Sequence, residues 1–328
     1  MPSTSEADVV RNHLVAPSAL VLNLSLPAGR NSDGRYHASE CGQDAWVHQA
    51  LRGLHERHTG DLFVVESGAY DGQTASNSLW LERALNFSCL LVEANPLLSA
   101  VIAEKHRRCH VLHGGLSINK SIGSRVPFAL AGQTGGFVTH LNRWHRARLQ
   151  TDSSGDVVRF GNGSVAHVPT FPIALVLRAL GRRTIDYWSL DTEGSEAEIL
   201  DASLDDIEVG VASVEWYSPS DRARGLRREQ IMASLTRRGF VRVNAAAGGK
   251  DDYYVNKGYF ERRGVAPPLE TPPVGCTSTS CFHEWRKAAL DEARGDLTRM
   301  RRAFPSVPLD ATVTYGGERV GRDSLSSS

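Results

Sequence analysis

The sequence lacks an apolar run long enough for a membrane helix, which needs about 20 predominantly apolar residues. The closest run, residues 14–26 ("LVAPSALVLNLSL"), is shorter and contains a proline, an asparagine and two serines. It also has no basic start followed by a continuous apolar core, so it makes a poor signal peptide. No membrane span is predicted in this chain, and residues 14–26 are predicted to form a strand or a docking segment.

The sequence also has no excess of either charge. Lys plus Arg and Asp plus Glu each number 37, so no global attraction to nucleic acid or to an anionic membrane is expected. Hydrophobic residues make up 41% and charged residues 23% of the chain, which is typical of a globular protein. Nucleic acid is therefore not a predicted partner.

Cysteine is scarce, with five residues in 328, and an odd, scattered set is not by itself a disulfide framework. Cys276 and Cys281 lie close together in a stretch rich in Pro, Gly, Thr and Ser, and whether they form a bridge depends on the compartment. Cys89 falls inside an apolar run, where it is predicted to pack rather than to act as a nucleophile.

Two features of the sequence point to different compartments. The lack of a signal or membrane segment favours the cytoplasm. Asn-x-Ser sequons favour the secretory lumen, and they occur at Asn23, Asn86, Asn119 and Asn162. The sequence leaves the compartment open.

What the sequence does contain is a repeated alternation of short apolar runs and amphipathic stretches. The runs predicted as core strands are "LFVVE" (62–66), "CLLVEANP" (89–96), "CHVLHGGLS" (109–117), "IDYWSLDTEG" (185–194) and "VGVASVEWYSP" (209–219), with "DDYYVNKGYF" (251–260) as a closing strand. Continuous apolar strands separated by helices are typical of parallel sheets. The predicted fold is α/β, a Rossmann-like, mostly parallel sheet with helices on both faces.

The same pattern predicts the domain boundaries. Residues 1–40 are polar and broken by prolines and glycines, so they are predicted to be an N-terminal extension, partly disordered. Residues 41–262 form the predicted domain, interrupted by an insertion of short antiparallel strands over residues 118–169. Residues 263–328 are predicted to be a C-terminal extension, also partly disordered.

Acidic side chains stand at the ends of four of the five predicted core strands. They are Glu66, Glu93, Asp191 with Glu193, and Glu215. Ligands of open α/β sheets bind outside the carboxyl ends of the strands, and crowded carboxylates repel unless a cation or a donor-rich ligand lies among them. The alternative is that single acids point to solvent or sit favourably at helix N-termini.

The loop after the first core strand has the form Glu66-x-Gly68-x-x-x-Gly72, which differs from the G-x-G-x-x-G of nicotinamide enzymes. Gly68 lets a ligand approach the backbone closely. Glu66 would repel a pyrophosphate but accept an amino group, and Glu93 is placed to accept both hydroxyls of a ribose. A nucleoside with a zwitterionic tail fits this layout, and S-adenosylmethionine is such a molecule.

Five segments also resemble the FkbM-type S-adenosylmethionine-dependent methyltransferases: "VVESGAYDGQTASNSLWLE", "CLLVEANP", "HGGLS", "IDYWSLDTEGSEAEIL" and "DDYYVNKG". They fall in the family's order between residues 63 and 258. The "SN" after the glycine loop and "SLDTEGSE" are similar to the animal branch that includes the Star-like proteins. The resemblance implies a class I methyltransferase-like fold.

The resemblance also implies roles for individual residues. It assigns the methionine part of the cofactor to the glycine loop, with Glu66, Gly68, Ala69 and Gly72. It assigns the ribose to Glu93 and Asn95 after the second strand, and the adenine to Ser117 after the third. The acceptor is assigned to Asp191 and Glu193 after the fourth strand.

The predicted reaction is O-methylation of a hydroxyl on a sugar or small metabolite, so the predicted partner is a small-molecule or glycan acceptor. A hydroxyl needs a general base or a metal to lower its pKa. Asp191 is the best candidate for that chemistry, and Glu215 ends the neighbouring strand. No metal ligand is predicted; joint binding of Mg²⁺ by Asp191 and Glu215 stays an alternative, as does a purely structural role for both.

A different class of function stays open beside the enzyme. Star-like relatives resemble trafficking factors, so the chain could be a non-catalytic secretory or trafficking protein that keeps the fold and has lost the ligand. Fold alone does not decide between the two.

Overall fold

The computed structural model describes residues 5–19, 38–39, 42–57, 62–141, 149–151, 157–160, 163–216, 221–243, 250–269, 313–315 and 318–320. Cys276 and Cys281 lie outside these ranges, so their predicted bridge stays a prediction. Within the described ranges, no helix has the length and apolar character to cross a membrane.

The described elements alternate for most of the chain. The helices are α1 (Glu6–Arg11), α2 (Gln43–Arg57), α3 (Leu79–Leu85), α4 (Pro96–Glu104), α5 (Ile173–Ala179), α6 (Glu196–Ser203), α7 (Asp221–Thr236) and α8 (Lys257–Arg262). The strands are β1 (Leu14–Val15), β2 (Phe63–Ser67), β3 (Ser88–Glu93), β4 (His110–His113), β5 (Gly115–Leu116), β6 (Ser124–Ala129), β7 (Leu149–Thr151), β8 (Val157–Phe160), β9 (Gly163–Phe171), β10 (Thr184–Leu190), β11 (Glu208–Glu215), β12 (Phe240–Val243), β13 (Asp251–Asn256), β14 (Val313–Tyr315) and β15 (Glu318–Val320).

The main sheet has eight strands in the order β1-β4-β3-β2-β10-β11-β13-β12. Strands β4, β3, β2, β10 and β11 are parallel to one another, while β1, β13 and β12 are antiparallel to their neighbours. Strand β2 lies in the interior of the sheet, between β3 and β10. The predicted class I methyltransferase-like, mostly parallel α/β fold is confirmed.

Alternate residues of the central strands pack into two separate cores. Val64 and Tyr187 belong to the core on one face of the sheet, while Val65 and Trp188 belong to the core on the other. Successive side chains of a strand point to opposite faces, so both faces of the sheet must be covered by helices. This double burial explains why "FVVES" and "TIDYWSL" read as continuous apolar runs.

The insertion forms a second, small sheet, as predicted, although its bounds are wider than 118–169. Strands β5, β9, β8 and β7 follow one another in this sheet, and β6 pairs with β9. All of its pairings are antiparallel except that of β5 with β9. Residues 115–116 and 170–171 belong to this sheet, because β5 pairs with the end of β9.

The prediction of residues 1–40 as an extension is wrong for residues 5–19. Helix α1 buries Val10 completely in the core of the domain, and β1 pairs antiparallel with β4, Leu14 opposite Leu112. The backbone N–H of His113 also donates to the carbonyl of His13, at 2.9 Å. Part of the strand or docking segment predicted over residues 14–26 is therefore present as β1, which pairing with β4 stabilises. Residues 20–26 lie outside the described ranges.

Cys89 packs in the core as predicted, and it also forms a disulfide with Cys109 that was not predicted. The bridge joins the second residue of β3 to the residue before β4, and both residues are buried. The sequence separation of 20 gave no hint, since only the parallel pairing of β3 with β4 brings the two residues together.

The predicted closing strand, residues 251–260, ends earlier and lies elsewhere in the sheet. Asn256 ends β13 and caps α8, since its side chain accepts a hydrogen bond from the backbone N–H of Tyr259. Strand β13 lies between β11 and β12, so β12 is the edge strand.

Truncation of Val10 tests whether α1 belongs to the domain. Val10→Ala should lower the free energy of unfolding by about 1–3 kcal/mol, because a completely buried side chain loses two methyl groups. The control is Val15→Ala in β1, whose residue is 39% exposed, and it should change stability by no more than about 0.5 kcal/mol. Chemical denaturation measures the free energy of unfolding of both variants, and equal losses would contradict the packing of α1 on the domain.

Candidate active site

A cleft opens at the carboxyl ends of β2, β3 and β10, where the sequence places its acids. Its empty space, with the open mouth included, is about 560 Å³. Its lining residues come from the strand ends and from the insertion: Gly68, Tyr70, Val92, Glu93, Ala94, Gly115, Leu116, Phe128, Gly132, Gly135, Phe137, Asp191, Thr192 and Glu193.

The glycine loop is fixed by close approach of two backbone segments. Gly68 has φ +85°, and a Cβ at this position would lie 1.8 Å from the carbonyl oxygen of Asp191. The backbone N–H of Asp191 donates to the carbonyl of Ser67, at 3.0 Å. Only glycine fits this conformation and this contact, so Gly68 is required to hold the end of β2 against the end of β10.

Glu66 does not reach the cleft. Its carboxylate accepts hydrogen bonds from Ser76 Oγ at 2.8 Å, the backbone N–H of Asn77 at 2.7 Å and Ser78 Oγ at 2.5 Å. Burial raises the pKa of Glu66, and the charge of Arg107 and these hydrogen bonds oppose that rise. The structure therefore places Glu66 as an anchor for residues 76–78, behind the glycine loop.

Arg107, which precedes β4, completes this anchor. Its guanidinium is buried, pairs with Glu82 and donates to the carbonyl of Gly72 and to Ser78 Oγ. A buried guanidinium needs this number of partners to offset its desolvation. The loop that begins at Gly68 is thus held at its far end by an ion pair that no sequence pattern predicted.

Glu93 faces the cleft with acceptor capacity to spare. One carboxylate oxygen accepts from the backbone N–H of Asn95 and the other from that of Tyr70, each at 2.7 Å. Burial raises the pKa of Glu93 to about 7, with the Asp71 charge adding to the rise and the backbone hydrogen bonds opposing it. The backbone N–H of Ala94 also acts on Glu93. A carboxylate offers about four lone-pair sites, so Glu93 keeps acceptor capacity for a ligand.

The remaining residues predicted for the cofactor lie around the cleft but do not line it. Ala69 is buried in the core, and Gly72 packs against Ile102. Asn95 caps helix α4 by accepting from the backbone N–H of Leu97. Ser117 donates to the side chain of Asn119, while its neighbour Leu116 lines the cleft.

Asp191 and Glu193 line the other side of the cleft and lie among further acids. Asp191 is solvent-exposed and within hydrogen-bonding reach of Glu215, which is 7% exposed and comes from the neighbouring strand β11. Glu193 has φ 57°, a left-handed backbone conformation that is uncommon for a residue other than glycine and clusters at functional sites. The predicted acceptor residues are therefore brought together.

The acids at this edge have higher pKa values than isolated carboxyls. Burial and the charges of Asp251 and Glu196 raise the pKa of Asp191 to about 7. The residue is partly exposed at the mouth of the cleft, while its carboxylate lies close to those of Glu196 and Glu215. Burial and the charges of Asp191 and Glu193 raise the pKa of Glu215 well above its usual range.

Glu196 lies in the first turn of α6, and its side chain is completely buried. One oxygen accepts from the backbone N–H groups of Thr192, at 2.8 Å, and Gly194, at 3.1 Å. The other lies 3.1 Å from the guanidinium of Arg227 on α7. Glu196 therefore shapes the turn that carries Asp191 and Glu193.

The insertion supplies the wall that sequence reasoning missed. Phe128 and Phe137 line the cleft and meet edge to face, with ring centroids 5.8 Å apart. Gly132 and Gly135, at the two ends of a 3-10 turn, lie beside them. The sequence marked "VPFAL" and "GGFV" only as strands, since nothing local shows that their aromatic side chains face the strand ends of the main sheet.

Comparison with known proteins agrees with this architecture. Residues 66–242, more than half of the chain, match the family described as Methyltransferase FkbM domain. A search of the curated proteins finds no match.

Solved structures with a similar course of the chain include three methyltransferases. Precorrin-6y C5,15-methyltransferase from Geobacter metallireducens GS-15 is 12% identical, with 65% of this chain and 85% of that chain covered, at a TM-score of 0.30. A methyltransferase from Pyrococcus furiosus is 8% identical, with 71% and 87% covered, at a TM-score of 0.31. The CurJ carbon methyltransferase is 12% identical, with 66% and 55% covered, at a TM-score of 0.32. At these TM-scores the superpositions carry no argument about the site.

Substitution of Gly68 tests the close approach of β2 and β10. Gly68→Ala forces an alanine into a left-handed conformation and also places its Cβ against the backbone of Asp191. Gly181 has φ +71°, but a Cβ there would have nothing within 4 Å, so Gly181→Ala adds only the conformational strain. We expect Gly181→Ala to cost about 1–2 kcal/mol of stability and Gly68→Ala to cost at least about 2 kcal/mol more. Thermal and chemical unfolding measure the difference, and equal losses would show that the contact is not required.

Proposed function

The chain belongs to the FkbM methyltransferase family, and from that premise and the geometry of the cleft we propose that it transfers a methyl group from S-adenosylmethionine to a hydroxyl oxygen of a sugar or small metabolite. The observation that carries the proposal is the position of Glu93 and the Gly68 loop on one side of the cleft and of Asp191 and Glu193 on the other. One side suits a nucleoside, and the other suits an acceptor that must lose a proton.

The residues present fit the cofactor. Glu93 faces the cleft and keeps acceptor capacity after its backbone hydrogen bonds, which ribose hydroxyls can use. Leu116, Phe128 and Phe137 give the cleft an apolar wall suited to an adenine. Gly68 also lines the cleft. When bound, the cofactor supplies an electrophilic methyl carbon on a positively charged sulfur.

The other side of the cleft supports removal of a proton from the acceptor. The bound cofactor would supply the methyl group and leave as S-adenosylhomocysteine, so the task of this chain's own residues is to take up the proton that the acceptor's hydroxyl loses. Asp191 is the proposed proton acceptor, because it lines the cleft, is open to solvent and has a pKa of about 7. A base works best when its pKa lies near the operating pH.

Glu193 and Glu215 support this step from different positions. Glu193 lines the cleft, so it is proposed to contact the acceptor. Glu215 lies behind Asp191 and does not line the cleft, so its proposed role is to set the charge and orientation of Asp191.

One observation favours the second candidate, a non-catalytic secretory or trafficking protein of the Star-like kind. The disulfide between Cys89 and Cys109 is of a type that persists in oxidising compartments. The two candidates differ in whether the cleft binds the cofactor, so the same binding experiment separates them.

Cofactor binding is tested by titrating the full chain with S-adenosylhomocysteine in a calorimeter. We expect saturable binding that is lost in Glu93→Ala and weakened by about tenfold or more in Glu93→Gln, because the amide offers fewer acceptor sites to the two hydroxyls. Glu104→Ala, an exposed residue at the end of α4, is the matched control. Absence of heat at millimolar ligand in the folded wild-type chain would favour the trafficking candidate.

The role of Asp191 is tested once a screen with labelled cofactor has identified an acceptor. Asp191→Asn should reduce turnover by a factor on the order of 10² to 10⁴ while S-adenosylhomocysteine affinity is retained. In the wild type, turnover should rise with pH through about 7, since the base must be deprotonated. Asp206→Asn, a surface acid paired with Lys120, is the control. Full activity with a lower melting temperature in Asp191→Asn would make the residue structural.

A further inference from the structure

Acidic groups are crowded at this edge of the cleft. Five carboxylates interact there: Asp191, Glu193, Glu196, Glu215 and Asp251. The cationic groups among the strongest influences on them are Arg227, which pairs with Glu196, and Lys250. In surroundings of low dielectric, close carboxylates favour a bound proton or a bound cation among them.

Three of these acids present their oxygens to one another. Asp191, Glu196 and Glu215 each offer one carboxylate oxygen, and these oxygens all lie within 4.8 Å of one another. An octahedral Mg²⁺, with ligand distances of about 2.1 Å, spaces its oxygens roughly 3 to 4 Å apart. The three oxygens can therefore reach such spacing with a small inward movement of their side chains.

A buried oxygen without a partner gives an independent indication of a ligand. Glu215 is 7% exposed, and among the described residues its Oε2 has no hydrogen-bond partner. A buried carboxylate oxygen left without a donor is costly. Glu196 is likewise fully buried, but it is already fixed by Thr192, Gly194 and Arg227. Glu196 is thus held in place by groups of the protein, whereas Glu215 has an oxygen that is available to a positively charged ligand.

From these observations we infer that Asp191, Glu196 and Glu215 form a site for one divalent cation of the magnesium or manganese class at the edge of the cleft. The ligand set consists of carboxylate oxygens with no thiolate or imidazole, which suits Mg²⁺ and Mn²⁺. Mg²⁺ usually keeps several waters, and the exposure of Asp191 leaves room for them.

The inference extends the proposed function, because an ion here would lie beside the acceptor. It would lower the pKa of a bound hydroxyl, and Asp191 could bind the ion through one oxygen and keep the other for the proton. Cation binding itself depends on neither cofactor nor acceptor. It can therefore succeed or fail separately from methyl transfer.

The competing account is a proton shared between Asp191 and Glu215, which lie within hydrogen-bonding reach of each other. A shared proton would remove one charge and satisfy one oxygen without any metal, as in other pairs of close carboxylates. The two accounts differ in what the full chain does when a divalent cation is added.

The test is titration of the full, chelator-treated chain with MnCl₂ at pH 8, with free Mn²⁺ followed by its electron paramagnetic resonance signal. We expect one Mn²⁺ to bind per chain, MgCl₂ to displace it, and Glu215→Gln and Asp191→Asn each to weaken binding by about tenfold or more. Glu198→Gln is the matched control, since Glu198 lies on α6 two residues from Glu196 but is 43% exposed at its side chain. This control should bind as the wild type does.

Thermal unfolding supplies the second readout and guards against a misfolded variant. MgCl₂ should raise the melting temperature of the wild type and of Glu198→Gln, because a ligand of the folded state stabilises it, and should raise that of Glu215→Gln by less at the same concentration. Absence of saturable Mn²⁺ binding in the wild type, or equal binding in Glu215→Gln, would overturn the site and favour the shared proton. S-adenosylhomocysteine titrated in chelator reports on the cofactor proposal separately.

Discussion

Mutual repulsion among carboxylates at the carboxyl edge of the sheet is the constraint on which the candidate site depends. Parallel strands end at the same edge, so the acids that follow β10 and β11 are forced together by the topology and not by any affinity for one another. Folding must therefore hold Asp191, Glu193 and Glu215 in place against their own charge. The cost of that arrangement explains why their pKa values rise, and why a proton or a cation is needed among them.

The rest of the structure supplies the rigidity that such an arrangement needs. Gly68 brings the end of β2 into contact with the carbonyl of Asp191, and Glu66 and Arg107 tie down the loop that follows β2. Glu66 and Arg107 do not line the cleft, yet together with Gly68 they fix the backbone that carries Glu93 and Asp191. Loops that carry function are commonly positioned by a rigid scaffold in this way.

Much of this was predictable from sequence, for reasons that are local. Continuous apolar runs ending in an acid gave the central strands, their parallel pairing and the edge at which Asp191 and Glu93 meet. Contacts between distant segments were not predictable. Val10 packs on the domain through a short strand pairing, Cys89 meets Cys109 only through the pairing of β3 with β4, and Phe128 reaches the cleft through the insertion. Glu66 and Glu93 each end an apolar strand in the sequence, and only the folded loop shows that the carboxylate facing the cleft is that of Glu93.

The most direct test of the central claim is the free energy of unfolding of the wild type and Glu215→Gln as a function of pH, in buffer containing a chelator. A carboxyl whose pKa is raised in the folded state binds protons that the unfolded state releases, so its contribution to stability is lost as pH rises through the folded-state pKa. Burial lowers the pKa of His110 and His113, which acts in the opposite direction in both proteins and cancels in the comparison. The account predicts that Glu215→Gln gains stability relative to the wild type as pH rises from about 5 to beyond the Asp191 pKa of about 7. A difference between the two proteins that does not change with pH would contradict it.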